Sequence, residues 1–130
     1  MTSSIHAVSL KRAALNRKRA KFVRLVLAEV PYCEARLANC TRRSTDVHEI
    51  LTRARGGSVI DRKNVAALCR RCHAFITVNP AWSALNGWML SSWSTEADAE
   101  SARLKRRERL LADKSNDEEP NGRGGLESVA

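Results

Sequence analysis

The order of apolar and polar positions predicts two long helices at the ends of the chain, with shorter elements between them. The first helix is expected from Ser9, a plausible N-cap, to about Ala28, because Val30 and Pro31 stop it there. The segment LKRAALNRKRAKFVR inside it keeps a helix-compatible spacing. The pattern therefore places one continuous helix near the start of the chain.

The second long helix has the clearest pattern and runs from Thr95 to Ala112. Thr95 and Asp98 stand at the spacing of a capping box, and acidic residues precede basic ones, an order that matches the helix macrodipole. Residues 113–130 lack the apolar content needed to fold. The sequence therefore predicts a disordered acidic tail after this helix.

Short strands and helices are predicted for the middle of the chain. Residues 47–51 form an apolar-flanked strand candidate, and residues 65–68 form a second one, although the sequence AAL fits a helix equally well. A helix is expected to begin at residue 73 and to be interrupted by Asn79-Pro80. Gly87 fits the end of a helix.

These elements divide the chain into four parts. A chain of 130 residues is long enough for one small domain with tails. The parts are a basic N-terminal helix at 1–28, a domain at 29–95, a C-terminal helix at 96–112 and a tail at 113–130. Aromatic residues make up only 5% of the sequence. A small domain with such a thin core often depends on a disulfide or a metal as a staple.

Positive charge is concentrated at the N-terminus. The formal net charge is +9, and residues 1–28 contain seven lysines and arginines and no acid. Such a field attracts polyanions, of which nucleic acid is the first candidate and an anionic membrane the second. The alternative is an ordinary solvated helix whose charges only keep it soluble. The candidate nucleic-acid contacts in this helix are Lys11, Arg12, Arg17, Lys18 and Arg19.

No stretch of the sequence has the apolar length needed to span a bilayer, and the N-terminus lacks the apolar core of an export signal. We therefore expect a cytoplasmic protein with no membrane partner. An acid-free, arginine-rich N-terminus is also typical of a mitochondrial transit peptide, and the sequence leaves that alternative open.

The four cysteines form two pairs that suggest a metal site. Six residues separate Cys33 from Cys40, and two separate Cys69 from Cys72. A CxxC turn brings two thiolates to one ion and a second pair completes a tetrahedron, so structural Zn²⁺ is the favoured interpretation. Two disulfides would require an oxidising compartment, and a redox CxxC would require a thioredoxin-like context. A zinc ion here would close a loop over the 28 residues between the pairs.

The segment VHEILTRARGGSVIDRKNVAALCRRCHAFITVNP carries further candidate chemistry. It presents His48 beside Glu49, then a glycine pair, Asn64, and His73 directly after the second cysteine pair. This order resembles the HNH endonuclease family, in particular the small phage-encoded members with four zinc cysteines. The resemblance covers about residues 33–93. It implies an α+β fold, a small ββα-metal (HNH) domain stapled by the four-cysteine zinc site and flanked by N- and C-terminal helices.

The resemblance also implies a catalytic role for each of these residues. His48 and His73 would bind a catalytic divalent cation, which could be Mg²⁺, Mn²⁺, Ni²⁺ or Zn²⁺. Glu49 would hold the position that activates the attacking water. Asn64 would brace the loop between the two strands.

The implied activity is hydrolysis of DNA phosphodiester bonds, by nicking or by cleavage of low specificity, since nothing in the sequence reads bases. Arg53 and Arg55 would hold phosphates beside the cut, and the basic N-terminal helix would add salt-sensitive affinity. The resemblance further implies a phage-encoded protein in the cytoplasm of the host cell, with DNA and a phage terminase as partners.

Two departures from the family pattern leave alternatives open. The water-activating position is usually histidine, whereas Glu49 is intrinsically a weaker base, and Thr77 stands where many relatives have a further histidine. A zinc-stapled DNA-binding or packaging accessory module with a decayed nuclease centre would also fit, and an RNA-binding zinc module would share the positive charge. Strand alternation adds a rival assignment, in which Asp46 is the ligand and His48 the base.

Each of these residues has an ordinary structural explanation when it is taken alone. His48 would be a surface strand histidine, His73 a residue that packs at a helix start, and Asn64 a turn residue. Their order inside one zinc loop is what makes the set informative. The three tryptophans are interpreted as satellite core and not as base-stacking platforms, since no cations are interleaved with them. They are Trp82, Trp88 and Trp93.

Overall fold

A computed structural model shows a mixed fold of helices and one short antiparallel sheet. It describes the backbone from residue 2 to residue 129 and the side chains from residue 9 to residue 113. In chain order the elements are α1 (Thr2–Glu29), β1 (Asp46–Glu49), β2 (Val65–Leu68), α2 (Arg70–Val78), α3 (Pro80–Leu85) and α4 (Glu96–Val129), with single 3-10 turns at Arg53–Arg55 and Arg62–Asn64. The α+β class predicted from the sequence is confirmed.

β1 and β2 pair as an antiparallel hairpin whose two faces are covered by different helices. In its register, Val47 lies opposite Ala67 and His48 opposite Ala66. Val47 and Ala67 pack with Val26 of α1, whereas Ala66 belongs to the cluster that includes the buried residues of α2. β2 is buried along its whole length. The coverage of both faces explains why VAAL, which is ambiguous as an isolated sequence, forms a strand.

The alternation along β1 decides which side chains can meet, because successive residues of a strand point to opposite faces. Val47 belongs to the cluster on the α1 side, so Glu49, two residues further, projects to the same side. Asp46 and His48 project to the side of α2, where both approach His73. The hairpin therefore separates the adjacent residues His48 and Glu49.

The core on the α2 side is small and contains one large aromatic residue. Its fully buried side chains include Trp88, Leu68 and Ile76. Full burial of an aliphatic side chain of this size contributes about 1.5–3 kcal/mol, so few such residues are present to hold the domain together.

The segment between α1 and β1 is attached to the outer edge of β2. The backbone N–H of Glu34 donates to the Ala67 carbonyl (2.9 Å), and Oε2 of Glu34 accepts from the Ala67 N–H (2.7 Å). A single antiparallel bridge between Tyr32 and Arg43 closes the segment into a loop. This loop carries the first cysteine pair.

Two helix starts differ from the prediction. α1 begins at Thr2, so Ser9 lies inside the helix and is not its N-cap; no glycine or proline between residues 2 and 29 interrupts the element. α2 begins three residues earlier than predicted, because Sγ of Cys69 caps the helix by accepting the Cys72 N–H at 3.3 Å. The predicted interruption at Pro80 is confirmed, since this residue starts α3.

The three tryptophans do not share one environment. Trp88 is fully buried, and Trp82 packs against the same cluster. Trp93 is 83% exposed, so its assignment to a satellite core is wrong. It lies in a turn closed by the Ser94 N–H and the Ser91 carbonyl (3.0 Å), which places the indole on the surface.

α4 starts with the capping box predicted from the sequence. Oγ1 of Thr95 accepts the Asp98 N–H at 3.2 Å, and Oδ2 of Asp98 accepts the Thr95 N–H at 2.8 Å. Hydrogen bonding of the carboxylate to the Thr95 N–H, and then to the Thr95 side chain, lowers the pKa of Asp98. Two backbone donors at the helix start are thereby satisfied.

Cations that donate to backbone carbonyls attach α4 to the rest of the domain. Lys105 donates to the carbonyl of Leu85 (3.2 Å), Arg106 to that of Gly87, and Arg109 to that of Ala35 (3.2 Å). Ala102 contributes a buried methyl group to the same contact. The helix is therefore held largely by polar bonds.

No helix in the described part of the chain is long and apolar enough to cross a membrane. The sequence predicts that the last helix ends at Ala112 and that residues 113–130 form a disordered tail, whereas the backbone of α4 continues to Val129. The side chains after Asp113 lie outside the described part of the chain. The domain boundaries proposed from the sequence stay predictions.

We expect Thr95→Ala to destabilise the protein by about 1 kcal/mol, because the Asp98 N–H loses its acceptor. Ser101→Ala, at an exposed position of the same helix, is the matched control and should change stability by less than about 0.5 kcal/mol. Denaturant unfolding followed by circular dichroism measures both variants. Equal stability of the two would contradict the role given to the cap.

Candidate functional site

Four sulfur atoms converge beside the N-terminus of α2. The Sγ atoms of Cys33, Cys40, Cys69 and Cys72 all lie within 4.8 Å of one another, and those of Cys40 and Cys69 are 3.8 Å apart. Sulfurs placed tetrahedrally at the Zn–S distance of about 2.3 Å are separated by about 3.8 Å. All four cysteines are free, so the disulfide alternative is not found in this structure. The quartet could hold a structural metal ion such as zinc.

Backbone N–H groups donate to these sulfurs. The N–H of Leu37 donates to Sγ of Cys72 (3.4 Å), and that of Arg42 donates to Sγ of Cys40 (3.3 Å). Burial opposes ionisation of Cys69, but hydrogen bonds led by the Cys72 N–H outweigh it and lower the pKa of the Cys69 thiol to about 6. Burial raises the pKa of Cys72 and of Cys40. The N–H donors favour the thiolate, which is the form that binds metals.

A second group of polar side chains lies on the α2 face of the hairpin. Nδ1 of His73 is 2.8 Å from Oδ2 of Asp46, and the ring centroids of His48 and His73 are 5.1 Å apart. Nε of Arg70 donates to both carboxylate oxygens of Asp46, at 3.1 and 2.9 Å. The structure therefore brings together the two histidines singled out in the sequence, and adds Asp46 to them.

The 2.8 Å contact between Nδ1 of His73 and Oδ2 of Asp46 is a hydrogen bond, since a carboxylate only accepts, and its length is also close to the spacing of two ligands of one cation. Two adjacent ligand atoms of an octahedral cation, each at about 2.1 Å, lie about 3 Å apart. Burial opposes ionisation of Asp46, but hydrogen bonds from His73, Thr45 and Arg70 outweigh it and lower the pKa of the carboxyl. Asp46 is therefore an anion at neutral pH.

The number of ligands differs between the two groups. Within the part of the chain that the structure describes, the cysteine quartet is the one group of three or more potential ligands that meets at a common point. Asp46 and His73 supply two ligands, so a cation held there would take its remaining ligands from water or phosphate.

His48 is only 7% exposed and is held by a backbone carbonyl. Its Nε2 lies 2.7 Å from the carbonyl oxygen of Trp88. Since a carbonyl only accepts, Nε2 carries the hydrogen and Nδ1 keeps its lone pair. Burial lowers the pKa of His48 to about 4; the Trp88 carbonyl acts against this, and the neighbouring charges of His73 and Arg106 add to it. The imidazole is therefore neutral at pH 7.

Arg106 of α4 fixes the segment that holds His48. Its guanidinium donates to the Gly87 carbonyl and lies over the ring of Trp88, 5.6 Å from the centroid. Burial lowers the pKa of Arg106 to about 10, so the side chain stays charged at pH 7. α4 thus acts on His48 indirectly, through the Gly87-Trp88 backbone.

The connection between β1 and β2 is tied together by the amide of Asn64. Its Oδ1 accepts the Leu51 N–H (2.9 Å), and its Nδ2 donates to the carbonyls of Leu51 (2.8 Å) and Ser58 (3.0 Å). Gly57 packs against the same peptide, because a Cβ at this position would lie 1.8 Å from the Leu51 carbonyl oxygen. Gly56 faces open space and adopts φ +98°. Close packing requires the second glycine, and backbone conformation favours the first.

Glu49 does not join the two histidines. Its carboxylate lies 3.3 Å from the guanidinium of Arg19 on α1. Arg19 also donates to the carbonyls of Val59 (2.6 Å) and Val47 (3.1 Å). Arg19, predicted from the sequence as a nucleic-acid contact, therefore links α1 to the hairpin. Its partner Glu49 lies on the face opposite Asp46.

The other cations predicted to contact nucleic acid lie on the surface. Arg53 and Arg55 are exposed in the turn after β1, and Arg55 also donates to the Leu90 carbonyl at 3.1 Å. Those on α1 are exposed as well: Lys11, Arg12, Arg17 and Lys18. These side chains are accessible to phosphate groups.

Three comparisons with known proteins find nothing similar: no family model, no curated protein and no solved structure matches this chain. The similarity to the HNH family therefore depends on the order of His48, Asn64, His73 and the four cysteines. It remains a hypothesis.

Sequence reasoning missed the contacts that orient His48. The carbonyl of Trp88 is a backbone group that any residue could supply, so no side-chain pattern marks it. Arg106 is one of several cations between residues 103 and 109, and helical spacing alone does not show which of them is buried. Asp46, in contrast, was marked by strand alternation as the rival ligand.

We expect Gly57→Ala to destabilise the protein more than Gly56→Ala. At position 56 the substitution adds only the strain of a positive φ, about 1–2 kcal/mol. At position 57 the new methyl group would overlap the Leu51 carbonyl, so the loop must move, which should cost at least about 1–3 kcal/mol more. Thermal unfolding of both variants measures the difference, and equal melting temperatures would show that the loop is not packed as described.

Proposed function

We propose that this protein is a metal-dependent endonuclease of the HNH type that hydrolyses DNA phosphodiester bonds. The observation that supports this most is the grouping of Asp46, His48 and His73 on one face of the hairpin. A carboxylate and imidazoles are groups that metal-assisted hydrolysis uses. The sulfur cluster next to them fixes the start of α2, and with it the position of His73.

In this proposal Asp46 and His73 hold the divalent cation and His48 is the base. A bound Mg²⁺, Mn²⁺, Ni²⁺ or Zn²⁺ ion would neutralise the scissile phosphate and stabilise the leaving oxygen. Nδ1 of His48 takes the proton of the attacking water, while the Trp88 carbonyl holds the ring through Nε2. This is the rival assignment from strand alternation, and it is preferred because Glu49 pairs with Arg19 on the other face.

DNA is the proposed partner because of the charge on the surface. The exposed cations of α1 and of the turn at 53–55 would contact phosphates, giving an affinity that falls as salt rises. Phosphate contacts position a protein on DNA but do not read its sequence. Nicking or cleavage of low specificity is therefore the proposed outcome.

The phage origin, the location in the cytoplasm of the host cell and the partnership with a terminase follow from the family resemblance alone. They stay predictions, and no contact described above supports them.

A second candidate function is a zinc-stapled DNA-binding or packaging accessory module with a decayed nuclease centre. It is favoured by the engagement of Asp46 with Arg70 and by the small number of ligands that converge there. Oγ1 of Thr77, at the position where a further ligand is expected, donates instead to the His73 carbonyl (2.8 Å). Such a module would bind DNA without cutting it.

For the sulfur quartet we propose a structural Zn²⁺ ion. The purified protein should contain one zinc per chain, and a strong chelator should unfold it, because such sites contribute on the order of 10 kcal/mol to folding. Cys72→Ser should lose the zinc, whereas His73→Ala, the neighbouring residue outside the quartet, should keep it. Metal analysis and circular dichroism measure both effects; a spectrum unchanged by chelator would count against a structural ion.

The nuclease proposal predicts nicking of supercoiled plasmid in the presence of one of the four divalent ions. Asp46→Asn and His73→Ala should each lower the rate at least about 100-fold, because the cation loses a ligand. His48→Ala should lower it by about 100- to 10,000-fold through loss of the base. Glu49→Gln should stay within a few-fold of the unaltered protein.

The controls separate the alternatives. The zinc content and circular dichroism spectrum of each variant show whether it is folded. If Glu49→Gln abolishes nicking and Asp46→Asn does not, the adjacent-pair assignment implied by the resemblance is correct and ours is wrong. If the unaltered protein nicks DNA with none of the ions but still retards it in a gel, the accessory module is the better description.

A further inference from the structure

Trp93 is the most exposed of the large apolar side chains in the described part of the chain, at 83%. It follows the fully buried Trp88 by five residues, so the two indoles of one short loop have opposite environments. The exposed ring lies at the edge of a surface depression of about 410 Å³. The proposed nuclease centre makes no use of this ring.

Two cations from distant parts of the chain line the same depression. Arg55 comes from the turn after β1 and is positioned by its bond to the Leu90 carbonyl (3.1 Å). Lys105 comes from α4 and is positioned by its bond to the Leu85 carbonyl (3.2 Å). The one carboxylate in the lining, Asp98, is occupied by the cap of α4. The depression therefore joins a free aromatic face to net positive charge.

We propose that Trp93 stacks on an unpaired base of single-stranded DNA, with Arg55 and Lys105 against the neighbouring phosphates. An exposed aromatic ring flanked by cations is the combination that single-strand binding uses, because each base has a face to stack and each phosphate a charge to pair. Base pairs inside a duplex are already stacked on their neighbours and do not offer that face. The inference rests on DNA being the partner in the proposed function, and it narrows the substrate to single-stranded or locally opened DNA.

The distance between Trp93 and the candidate centre at His48 is short enough for one continuous DNA strand to contact both. Trp88, whose carbonyl contacts His48, is five residues from Trp93, and a fully extended chain of that length spans at most about 18 Å. Phosphates along one strand of duplex DNA are spaced by about 3.4 Å. A strand cut near His48 therefore reaches Trp93 within about five nucleotides.

The test measures binding of a fluorescent oligonucleotide by anisotropy, for a single strand and for its matched duplex, with no divalent cation added. Trp93→Ala should weaken single-strand binding by about 5- to 150-fold and change duplex binding less than about two-fold. Trp93→Phe, which keeps an aromatic face, should restore most of the affinity. Val78→Ala is the matched control, since Val78 is 73% exposed and does not line the depression.

An unchanged single-strand affinity for Trp93→Ala, or an equal loss for both forms of DNA, would overturn the stacking proposal. So would a Trp93-dependent affinity for an acidic polypeptide such as polyglutamate without any for the single strand. Because binding is measured without cleavage, the outcome is independent of the nicking assay: a protein that never cuts can still show Trp93-dependent binding, and an active nuclease can lack it.

Discussion

The convergence of four sulfur atoms is the constraint on which the rest of the domain depends. It ties the loop before β1 to the first turn of α2, and Cys69 also caps that helix through its sulfur. The hairpin lies between these two anchors, so the strand that carries His48 and the helix that carries His73 have little freedom to separate. The apolar core on that side is small. A bound ion would therefore stabilise the site and the fold through the same bonds.

Much of the architecture was predictable because its causes are local. Thr95 and Asp98 form their capping box within one turn. Pro80 has no N–H to continue α2, and it stands at the start of α3, where that N–H is not needed. The strand at 65–68 could not be predicted from local sequence alone, because VAAL fits a helix equally well. Only its burial on both faces explains why it is a strand. The predicted start of α2 was three residues too late, because the sequence does not show that the sulfur of Cys69 caps this helix. The exposure of Trp93, which lies in the turn between Ser91 and Ser94, was not evident from composition.

In the candidate site, too, some features were predictable from the sequence and others depended on the fold. The meeting of His48 and His73, and the place of Asn64 between the strands, agree with the order of residues in the sequence. The contact that holds His48 did not follow from it, because its partner is the backbone carbonyl of Trp88. Arg106 acts from α4 only indirectly, by donating to the carbonyl of the preceding residue, Gly87. Alternation along β1 favoured Asp46 over Glu49 as the neighbour of His48, and the pairing with Arg19 agrees with that choice.

The bonds of Arg19 fix the position of α1 relative to the hairpin, and therefore the distance from the hairpin to each cation along this helix. With the guanidinium fixed at Val47 and Val59, the exposed Lys11 lies eight residues away along one helix, or about 12 Å at 1.5 Å per residue. That length corresponds to three or four steps of about 3.4 Å along DNA. In the proposed complex with DNA, the helix would set how far from the hairpin the DNA backbone is contacted, at about 1.5 Å for each residue between Arg19 and the contacting cation.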